Sequence, residues 1–320
     1  MNTSNTSNTS NTLLLRVGPK NSEWWLNTLQ ALLPELHCRL WDSPGDPMAV
    51  QYAAVWRPPA GGLAQFWNLQ AVFSIGAGVD HVLNDPAYPA AVPLFRTVAP
   101  DLTQRMIEYV LLHVLRYHRR VPELEKLQSR GQWKQLISPL AADRVVGVMG
   151  LGHIGQAVAQ ALRGIGFQVR GWARSKHALN GIQCFAGQTQ LAGFLRDCEI
   201  LVCLLPLTDA TRDMLNQQVF SALPRGAFLI NVGRGEHLVE QDLLQALNEG
   251  QLAGATLDVF RHEPLPPEHP FWQQPDLTLT PHVASLIDPV VGSKILAQNI
   301  RRHLAGDPLT EFRVDVARGY

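Results

Sequence analysis

One stretch of the sequence constrains the fold more than any other. The apolar run Val145 to Met149 has the length of a buried strand, leads directly into Gly150-Leu151-Gly152-His153-Ile154-Gly155, and is followed by a helix-like segment, Gln156 to Leu162. In such a turn the first glycine permits a tight bend, the second lets a pyrophosphate approach the backbone, and the third allows close helix packing. The stretch therefore predicts a dinucleotide-binding turn, with an ordinary glycine turn as the alternative.

The strand after this turn indicates which nicotinamide cofactor the chain binds. An NAD enzyme places an acidic residue about 20 residues beyond the glycines, on the ribose 2′-hydroxyl. Here Ala173 takes that position, and Arg174, Ser175 and Lys176 follow it. Two cations and a hydroxyl suit a 2′-phosphate, so we expect NADP(H) in preference to NAD(H), although a solvated basic turn has the same composition. The cofactor residues predicted from the two segments are Gly150, Gly152, His153, Ile154, Gly155, Ala173, Arg174 and Ser175.

Short apolar runs alternate with helix-like segments along most of the chain. Because 320 residues exceed one compact core, we expect two domains. Continuous apolar runs are typical of parallel strands that are buried on both faces, so the predicted fold class is α/β with doubly wound parallel sheets. The predicted strands are Leu13 to Val17, Ala53 to Trp56, Ala71 to Ser74, Val145 to Met149, Gln168 to Trp172, Ile200 to Leu205, Phe228 to Val232, Thr256 to Val259 and Leu277 to Leu279.

Helix starts can be predicted at three places. Ser22 is placed to cap a first helix, and Asp101 with Gln104 gives a long helix a start that resembles a capping box. The last helix has Asp288 as its cap and Pro289 in its first turn.

Charge and hydropathy exclude several classes of protein. The chain has 27 basic and 27 acidic residues, so no overall field favours nucleic acid or an anionic membrane. No apolar run approaches the roughly 18 to 20 residues that span a bilayer. Residues 1–12 are a polar Asn-Thr-Ser repeat, which predicts a disordered tail and no secretory signal. The four cysteines lack metal-binding spacing. We therefore expect a cytoplasmic protein without a metal, a nucleic-acid partner or a membrane partner.

Three further motifs place polar side chains after apolar strands. Arg234 follows Phe228 to Val232, Glu263 comes shortly after Thr256 to Val259, and His282 follows the last strand. Ligands of an open parallel sheet bind beyond the carboxyl ends of its strands, so these side chains are expected to converge. A guanidinium can hold a carboxylate and polarise the adjacent ketone, an imidazole can supply a proton, and a carboxylate can orient the imidazole. Each residue alone could equally be a surface cation, a solvated acid or a loop histidine.

Taken together, these motifs resemble the D-isomer-specific 2-hydroxyacid dehydrogenase family, and within it the bacterial A-type glyoxylate/hydroxypyruvate reductases. The resemblance covers nearly the whole chain after the tail. It is carried by the glycine turn, Asn231-Val232-Gly233-Arg234-Gly235, Asp258-Val259-Phe260 with Glu263-Pro264-Leu265-Pro266-Pro267, Pro281-His282-Val283-Ala284, Ser74-Ile75-Gly76-Ala77-Gly78-Val79-Asp80, and the closing Asp315-Val316-Ala317-Arg318-Gly319-Tyr320. Gly233 stands where relatives often carry alanine or serine.

The resemblance implies roles for individual residues. It implies that Arg234, Glu263 and His282 form the catalytic trio, and that the backbone of Ala77, Gly78 and Val79 binds the substrate carboxylate. Bulky residues near the substrate are expected to limit its size, with aromatic core packing as the alternative for the tryptophans; they are Trp41, Trp56 and Arg57. Further cofactor contacts are expected from Leu205, Pro206, Val232, Gly233 and Asp258.

The resemblance also implies an architecture and an activity. It implies a Rossmann-type cofactor domain over residues 100–285 and a smaller flavodoxin-like substrate domain over residues 13–99 and 286–320, in a homodimer. The implied activity is NADPH-dependent reduction of glyoxylate, hydroxypyruvate or another short 2-oxoacid by hydride transfer. Two alternatives stay open: another NAD(P)-linked 2-hydroxyacid dehydrogenase, and a non-catalytic corepressor or scaffold that senses a dinucleotide.

Overall fold

The computed structural model describes residues 11–18, 21–98, 100–317 and 319. Of the predicted tail, residues 1–10 lie outside the described residues. Thr12 is buried as the first residue of a strand, so the tail prediction is wrong for that residue. Arg318 and Tyr320 of the closing motif also lie outside the described residues. None of the described helices has both the length and the apolar character needed to cross a bilayer.

The chain forms two compact units, Met1–Asp101 with Ile287–Tyr320 and Leu102–Leu286. The first unit is built on a five-stranded parallel sheet in the order β2-β1-β3-β4-β5. This is the flavodoxin-like strand order, so the predicted class of the smaller domain is confirmed. Its strands are β1 (Thr12–Arg16), β2 (His37–Leu40), β3 (Val50–Val55), β4 (Ala71–Ser74) and β5 (Leu94–Arg96), and its helices are α1 (Ser22–Leu32), α2 (Asp80–Leu83) and α9 (Pro289–Leu304).

The central strands of this sheet are apolar on both faces because helices and loops cover both sides. Leu13 and Leu15 of β1 pack in one cluster with α1 and α9, whereas Leu14 packs in another. The predicted cap of α9 is confirmed, since the Asp288 carboxylate accepts from the N–H groups of Val290 and Val291. The predicted cap at Ser22 is wrong, because Ser22 is already the first residue of α1.

The second unit carries a seven-stranded parallel sheet in the order β12-β11-β10-β9-β6-β7-β8. This is the Rossmann order with one additional strand, and the order reverses between β6 and β9. The Rossmann-type fold class is therefore confirmed. The strands are β6 (Val145–Met149), β7 (Gln168–Ala173), β8 (Gln183–Ala186), β9 (Ile200–Cys203), β10 (Ala227–Asn231), β11 (Leu252–Leu257) and β12 (Leu277–Leu279).

Helices cover both faces of this second sheet. The long helix α3 begins at Pro100, whose fixed φ suits a first helical position. Asp101 therefore lies in the first turn instead of capping it, and Gln104 donates to Glu108 at 2.9 Å, so the predicted capping box is wrong. The helices are α3 (Pro100–His118), α4 (Val121–Ser129), α5 (His153–Ile165), α6 (Leu191–Leu195), α7 (Gln217–Ala222) and α8 (Glu240–Asn248).

Candidate active site

The glycine turn joins β6 to α5 where the strand order of the second sheet reverses. Gly150 has a φ of 101°, in the left-handed region that glycine tolerates. A Cβ on Gly155 would lie 1.8 Å from the carbonyl oxygen of Gly150, so helix and turn pack without room for a side chain. A Cβ on Gly152 would meet nothing within 4 Å, so the backbone there is open to a ligand. The turn and the first N–H groups of α5, at His153 and Ile154, can therefore hold an anion.

The end of β7 lies beside this turn, because the Gly150 N–H donates to the Trp172 carbonyl at 2.8 Å. Ala173 is buried at that end, whereas Arg174, Ser175 and Lys176 are exposed. An acidic side chain at position 173 would repel a 2′-phosphate, but the residue there is alanine. Two cationic residues, Arg174 and Lys176, follow it. This donor set fits a phosphorylated ribose.

The loop after β9 forms another edge of this region. A Cβ on Gly150 would lie 2.6 Å from the Leu204 carbonyl oxygen, so turn and loop are in direct contact. The Leu205 side chain is buried in the core, which leaves only its backbone for a ligand, whereas Pro206 is exposed.

Arg234 lies in a loop that is fixed by its own hydrogen bonds. Its N–H donates to His237 Nδ1 at 2.9 Å, and the buried His237 lies 3.3 Å through Nε2 from the Pro206 carbonyl oxygen. The Arg234 guanidinium donates to the Gly233 carbonyl at 2.8 Å. Val232 and Gly233 are buried, so Arg234 is the partly exposed residue of this segment. His237 was not predicted from the sequence, because only the loop geometry reveals its contact with Arg234.

Glu263 and His282 form a hydrogen-bonded pair. His282 Nδ1 lies 2.9 Å from Glu263 Oε2 and 3.1 Å from Oε1, and the Phe260 N–H donates to Oε1 at 3.1 Å. Since a carboxylate accepts, Nδ1 carries a proton and Nε2 is the ring nitrogen left for a ligand. The imidazole remains 30% exposed while the carboxylate is 16% exposed, so the histidine is the more accessible partner.

The loops that carry the three residues lie side by side. They follow β10, β11 and β12, which are neighbours in the sheet. The Asp258 N–H donates to the Asn231 carbonyl at 3.1 Å, and a Cβ on Gly235 would lie 1.9 Å from the Phe260 carbonyl carbon. The three loops therefore contact one another at the carboxyl edge that also carries the glycine turn.

Asp258 is almost fully buried, and it binds the segment that follows β12. Its carboxylate accepts from Thr280 Oγ1 at 2.5 Å, Val283 N at 2.8 Å and Ala284 N at 2.9 Å. Burial raises the pKa of Asp258, and these hydrogen bonds oppose the shift. The visible role of Asp258 is thus to hold the His282 segment, and its predicted contact with a cofactor stays a prediction.

The first unit, taken by itself, brings together most of its predicted substrate residues. Ser74 Oγ donates to the Gly78 carbonyl at 2.9 Å, and a Cβ on Gly76 would lie 2.9 Å from the Trp56 ring. The Ala77–Val79 loop is therefore fixed beside an indole. Arg57 has a φ of 50° and donates its N–H to His81 Nδ1 at 3.1 Å.

Trp41 has a different environment. Its ring packs edge-on against Phe66, with the centroids 5.7 Å apart, and also contacts Gly62. This is the aromatic packing that was the alternative to a substrate contact. Among the described residues, no three His, Cys, Asp or Glu side chains are grouped as a metal ion would need.

The chain is similar to known proteins over most of its length. Residues 111–284 match the family model described as D-isomer specific 2-hydroxyacid dehydrogenase, NAD binding domain. Glyoxylate/hydroxypyruvate reductase A of Serratia proteamaculans is 47% identical over 305 residues, which are 94% of this chain and 97% of that protein. The protein of the same name from Yersinia enterocolitica is 43% identical over 302 residues, 92% of this chain and 96% of that protein.

Solved structures are also similar to this chain over most of its length. A D-isomer specific 2-hydroxyacid dehydrogenase from Xanthobacter autotrophicus, crystallised with NADPH and MES, superposes with a TM-score of 0.90 at 42% identity, covering 97% of this chain and 100% of that chain. The NADPH-dependent glyoxylate/hydroxypyruvate reductase from Sinorhizobium meliloti, in complex with NADP and sulfate, gives 0.87 at 37% identity, covering 97% of this chain and 99% of that chain.

Proposed function

The chain belongs to the D-isomer specific 2-hydroxyacid dehydrogenase family, and from this premise we propose that it uses NADPH to reduce short 2-oxoacids, glyoxylate and hydroxypyruvate, to glycolate and D-glycerate. Relatives at 43% to 47% identity carry the name of this reductase, and related structures hold NADPH or NADP. The observation that carries the proposal is the hydrogen-bonded Glu263–His282 pair on the edge that bears the glycine turn.

Each member of the trio has a distinct role in this proposal. When bound, NADPH supplies the hydride that reduces the keto carbon. Arg234 binds the substrate carboxylate and polarises the ketone, and His282 gives its Nε2 proton to the developing hydroxyl oxygen. Glu263 accepts from Nδ1, which fixes the ring orientation and stabilises the imidazolium before the proton is transferred. The net reaction consumes one 2-oxoacid, one NADPH and one proton, and yields one 2-hydroxyacid and one NADP⁺.

We propose that the second unit binds the cofactor and that the first unit contributes contacts to the substrate. The second unit holds the cofactor through its glycine turn, the end of β7, and residues Leu205, Pro206, Val232, Gly233 and Asp258. The first unit binds the substrate carboxylate through the N–H groups of the Ala77–Val79 loop. Trp56 packs beside that loop, so it is the better candidate of the two tryptophans for limiting the size of the substrate, with Arg57 next to it.

A cofactor and substrate survey tests the proposal. We expect loss of NADPH absorbance with glyoxylate and with hydroxypyruvate, and a kcat/KM that is lower by about tenfold or more with NADH, because Arg174 and Lys176 suit a 2′-phosphate. Arg174→Ala should weaken the use of NADPH about tenfold and leave that of NADH unchanged. If none of the short 2-oxoacids causes oxidation of NADPH, the proposed activity is wrong. Equal kcat/KM values with NADPH and NADH would contradict the proposal that the Arg174 segment binds the 2′-phosphate.

We propose further that the chain acts as a homodimer in the cytoplasm, without a nucleic-acid or membrane partner. The segment 131–140 after α4 carries Trp133, Ile137 and Leu140, which are 97%, 90% and 72% exposed. Three apolar side chains this exposed within ten residues suit burial against a second copy of the chain. Cys38, Cys184, Cys198 and Cys203 are free thiols, which fits a reducing compartment. Light scattering should give twice the chain mass, and Trp133→Ser should weaken the dimer; a monomeric wild type would contradict this.

A further inference from the structure

We propose that Tyr109 of α3 is a positioning residue for His282, and that it acts through the hydroxyl of Thr280 and the carboxylate of Asp258. The four residues are connected by short hydrogen bonds in the second unit, although Tyr109 and Thr280 are 171 positions apart in the sequence. The inference rests on the proposed function, because it concerns the orientation of the histidine that donates the proton.

The direction of the hydrogen bonds follows from the donor inventory. The N–H groups of Val283 and Ala284 can only donate, so both Asp258 oxygens act as acceptors. Thr280 therefore gives its single hydroxyl proton to Asp258 Oδ1, at 2.5 Å. The Thr280 oxygen then accepts from Tyr109, whose hydroxyl lies 2.6 Å away. Burial raises the pKa of Tyr109, which keeps the phenol protonated and hence a donor.

Asp258, at the end of this chain of hydrogen bonds, holds the backbone at the catalytic histidine and directly after it. The His282 N–H donates to the Asp258 carbonyl at 2.8 Å, and the next two N–H groups donate to the Asp258 side chain. His282 has a φ of 56°, in the left-handed region that non-glycine residues adopt only at an energetic cost. The conformation that presents the ring to Glu263 thus depends on these outside contacts.

The position of the phenol is itself fixed. The Tyr109 ring packs on that of His113, one helical turn later, with the centroids 4.4 Å apart. His113 Nδ1 lies 3.2 Å from Thr256 Oγ1 in β11, the strand that leads to Asp258. A phenylalanine at position 109 would keep this ring packing and remove only the donor to Thr280. The Thr280 hydroxyl would then lose the bond that polarises and orients it.

The test variant is Tyr109→Phe, and the matched control is Tyr117→Phe. Tyr117 lies on the same helix, and its hydroxyl makes the same kind of bond, 2.7 Å to Thr256 Oγ1, but Thr256 lies inside β11 and outside the His282 segment. Each variant loses a tyrosine–threonine hydrogen bond, which is partly buried at Tyr109 and buried at Tyr117, so the control should lose at least as much stability as the test variant. Only Tyr109→Phe should lower kcat for glyoxylate reduction, by about tenfold, with an unchanged Kd for NADPH.

Two further readouts separate positioning from general destabilisation. With NADPH deuterated at the transferred hydrogen, the isotope effect on kcat should rise in Tyr109→Phe and stay at the wild-type value in Tyr117→Phe, because only the chemical step is slowed. Thr280→Val should lower kcat as Tyr109→Phe does, whereas Thr280→Ser, which keeps the hydroxyl, should retain the wild-type kcat. Adding Tyr109→Phe to Thr280→Val should not lower kcat further.

Equal kcat values and isotope effects for Tyr109→Phe and Tyr117→Phe would overturn the inference. A tenfold loss from Tyr109→Phe in the Thr280→Val background would also overturn it, since Tyr109 would then act by another route. Either result leaves the proposed function intact as long as His282→Ala lowers turnover by about 100-fold or more. Full turnover in His282→Ala would instead remove the proposed function.

Discussion

The Glu263 carboxylate accepts from His282 Nδ1 and from the Phe260 N–H, so its position is fixed from two sides. The paired histidine can therefore present Nε2 in one orientation. The same unit contains a second such pair, in which His269 Nε2 lies 3.4 Å from Glu240 Oε2. Because both glutamates lie next to a histidine, they allow a matched comparison.

We predict that Glu263→Gln lowers kcat for 2-oxoacid reduction by about 10- to 100-fold, because the amide keeps an oxygen acceptor but loses the charge that stabilises the imidazolium. NADPH affinity should stay within about twofold of wild type, since this carboxylate is not among the proposed cofactor contacts. Steady-state kinetics and NADPH fluorescence titration measure the two quantities. Glu240→Gln is the control and should leave kcat unchanged. Equal effects of the two substitutions would remove Glu263 from its role.

The sequence predicted some of these residues and missed others for a physical reason. Arg234, Glu263 and His282 each follow a recognisable strand, so adjacency in a parallel sheet was enough to expect that they converge. Tyr109 and His237 have no such marker, and Thr280 follows the same strand as His282 without any pattern that indicates its bond to Tyr109. The partner of Tyr109 is set by tertiary packing across 171 positions, and that of His237 by the geometry of its loop, neither of which local patterns contain.

At the scale of elements, two glycines of the turn are needed for different reasons, one for packing inside the protein and the other for the approach of a ligand. Gly155 is required by close packing inside the protein, whereas Gly152 borders open space. We predict that Gly155→Ala lowers the free energy of unfolding by about 1–3 kcal/mol, because the new methyl group would overlap the Gly150 carbonyl. Gly152→Ala should leave stability within about 0.5 kcal/mol and raise the Kd for NADPH about tenfold or more.

Chemical denaturation and NADPH titration of both variants measure these effects. The φ of Gly152 is −70°, which alanine adopts without strain, so a loss of binding there reports on the ligand and not on the backbone. If Gly152→Ala binds NADPH as well as wild type, the pyrophosphate does not pass over this turn.

The predicted elements were most accurate where a continuous apolar run coincided with a central strand. β4, β6 and β12 have their predicted limits, and β10 is shifted by one residue. β11 ends at Leu257, two residues before the predicted end, because Asp258 and Val259 already belong to the loop that holds His282. The short strands β2, β5 and β8 were not predicted; β8 (Gln183–Ala186), for example, lies at the sheet edge, and none of its residues is buried.

At the scale of the whole molecule, folding places several histidines where protonation is unfavourable. Burial, together with the charge of Arg116, lowers the pKa of His113 to about 4. Burial also lowers the pKa of His118 and of His303. Between the ordinary histidine value of 6.5 and about 4, the unfolded chain therefore binds more protons at His113 than the folded chain does. The free energy of unfolding consequently decreases as the pH falls through this window.

We predict that His113→Gln removes part of this dependence, on the order of 2 kcal/mol between pH 7 and pH 4. Urea denaturation of wild type and variant at several pH values measures the slope. At pH 7.5 the variant is expected to be less stable, because it loses the contacts of the buried ring with Tyr109 and Thr256. Parallel pH profiles for the two proteins would show that His113 does not contribute.

The central claim is that His282, oriented by Glu263, donates the proton when a bound 2-oxoacid is reduced. Its most direct test is the rate of NADPH oxidation in a single turnover, with enzyme and NADPH premixed and then mixed rapidly with glyoxylate, in wild type and in His282→Ala. We expect the variant to bind NADPH normally and to react at least about 100-fold more slowly. A variant that oxidises bound NADPH at the wild-type rate would contradict the account.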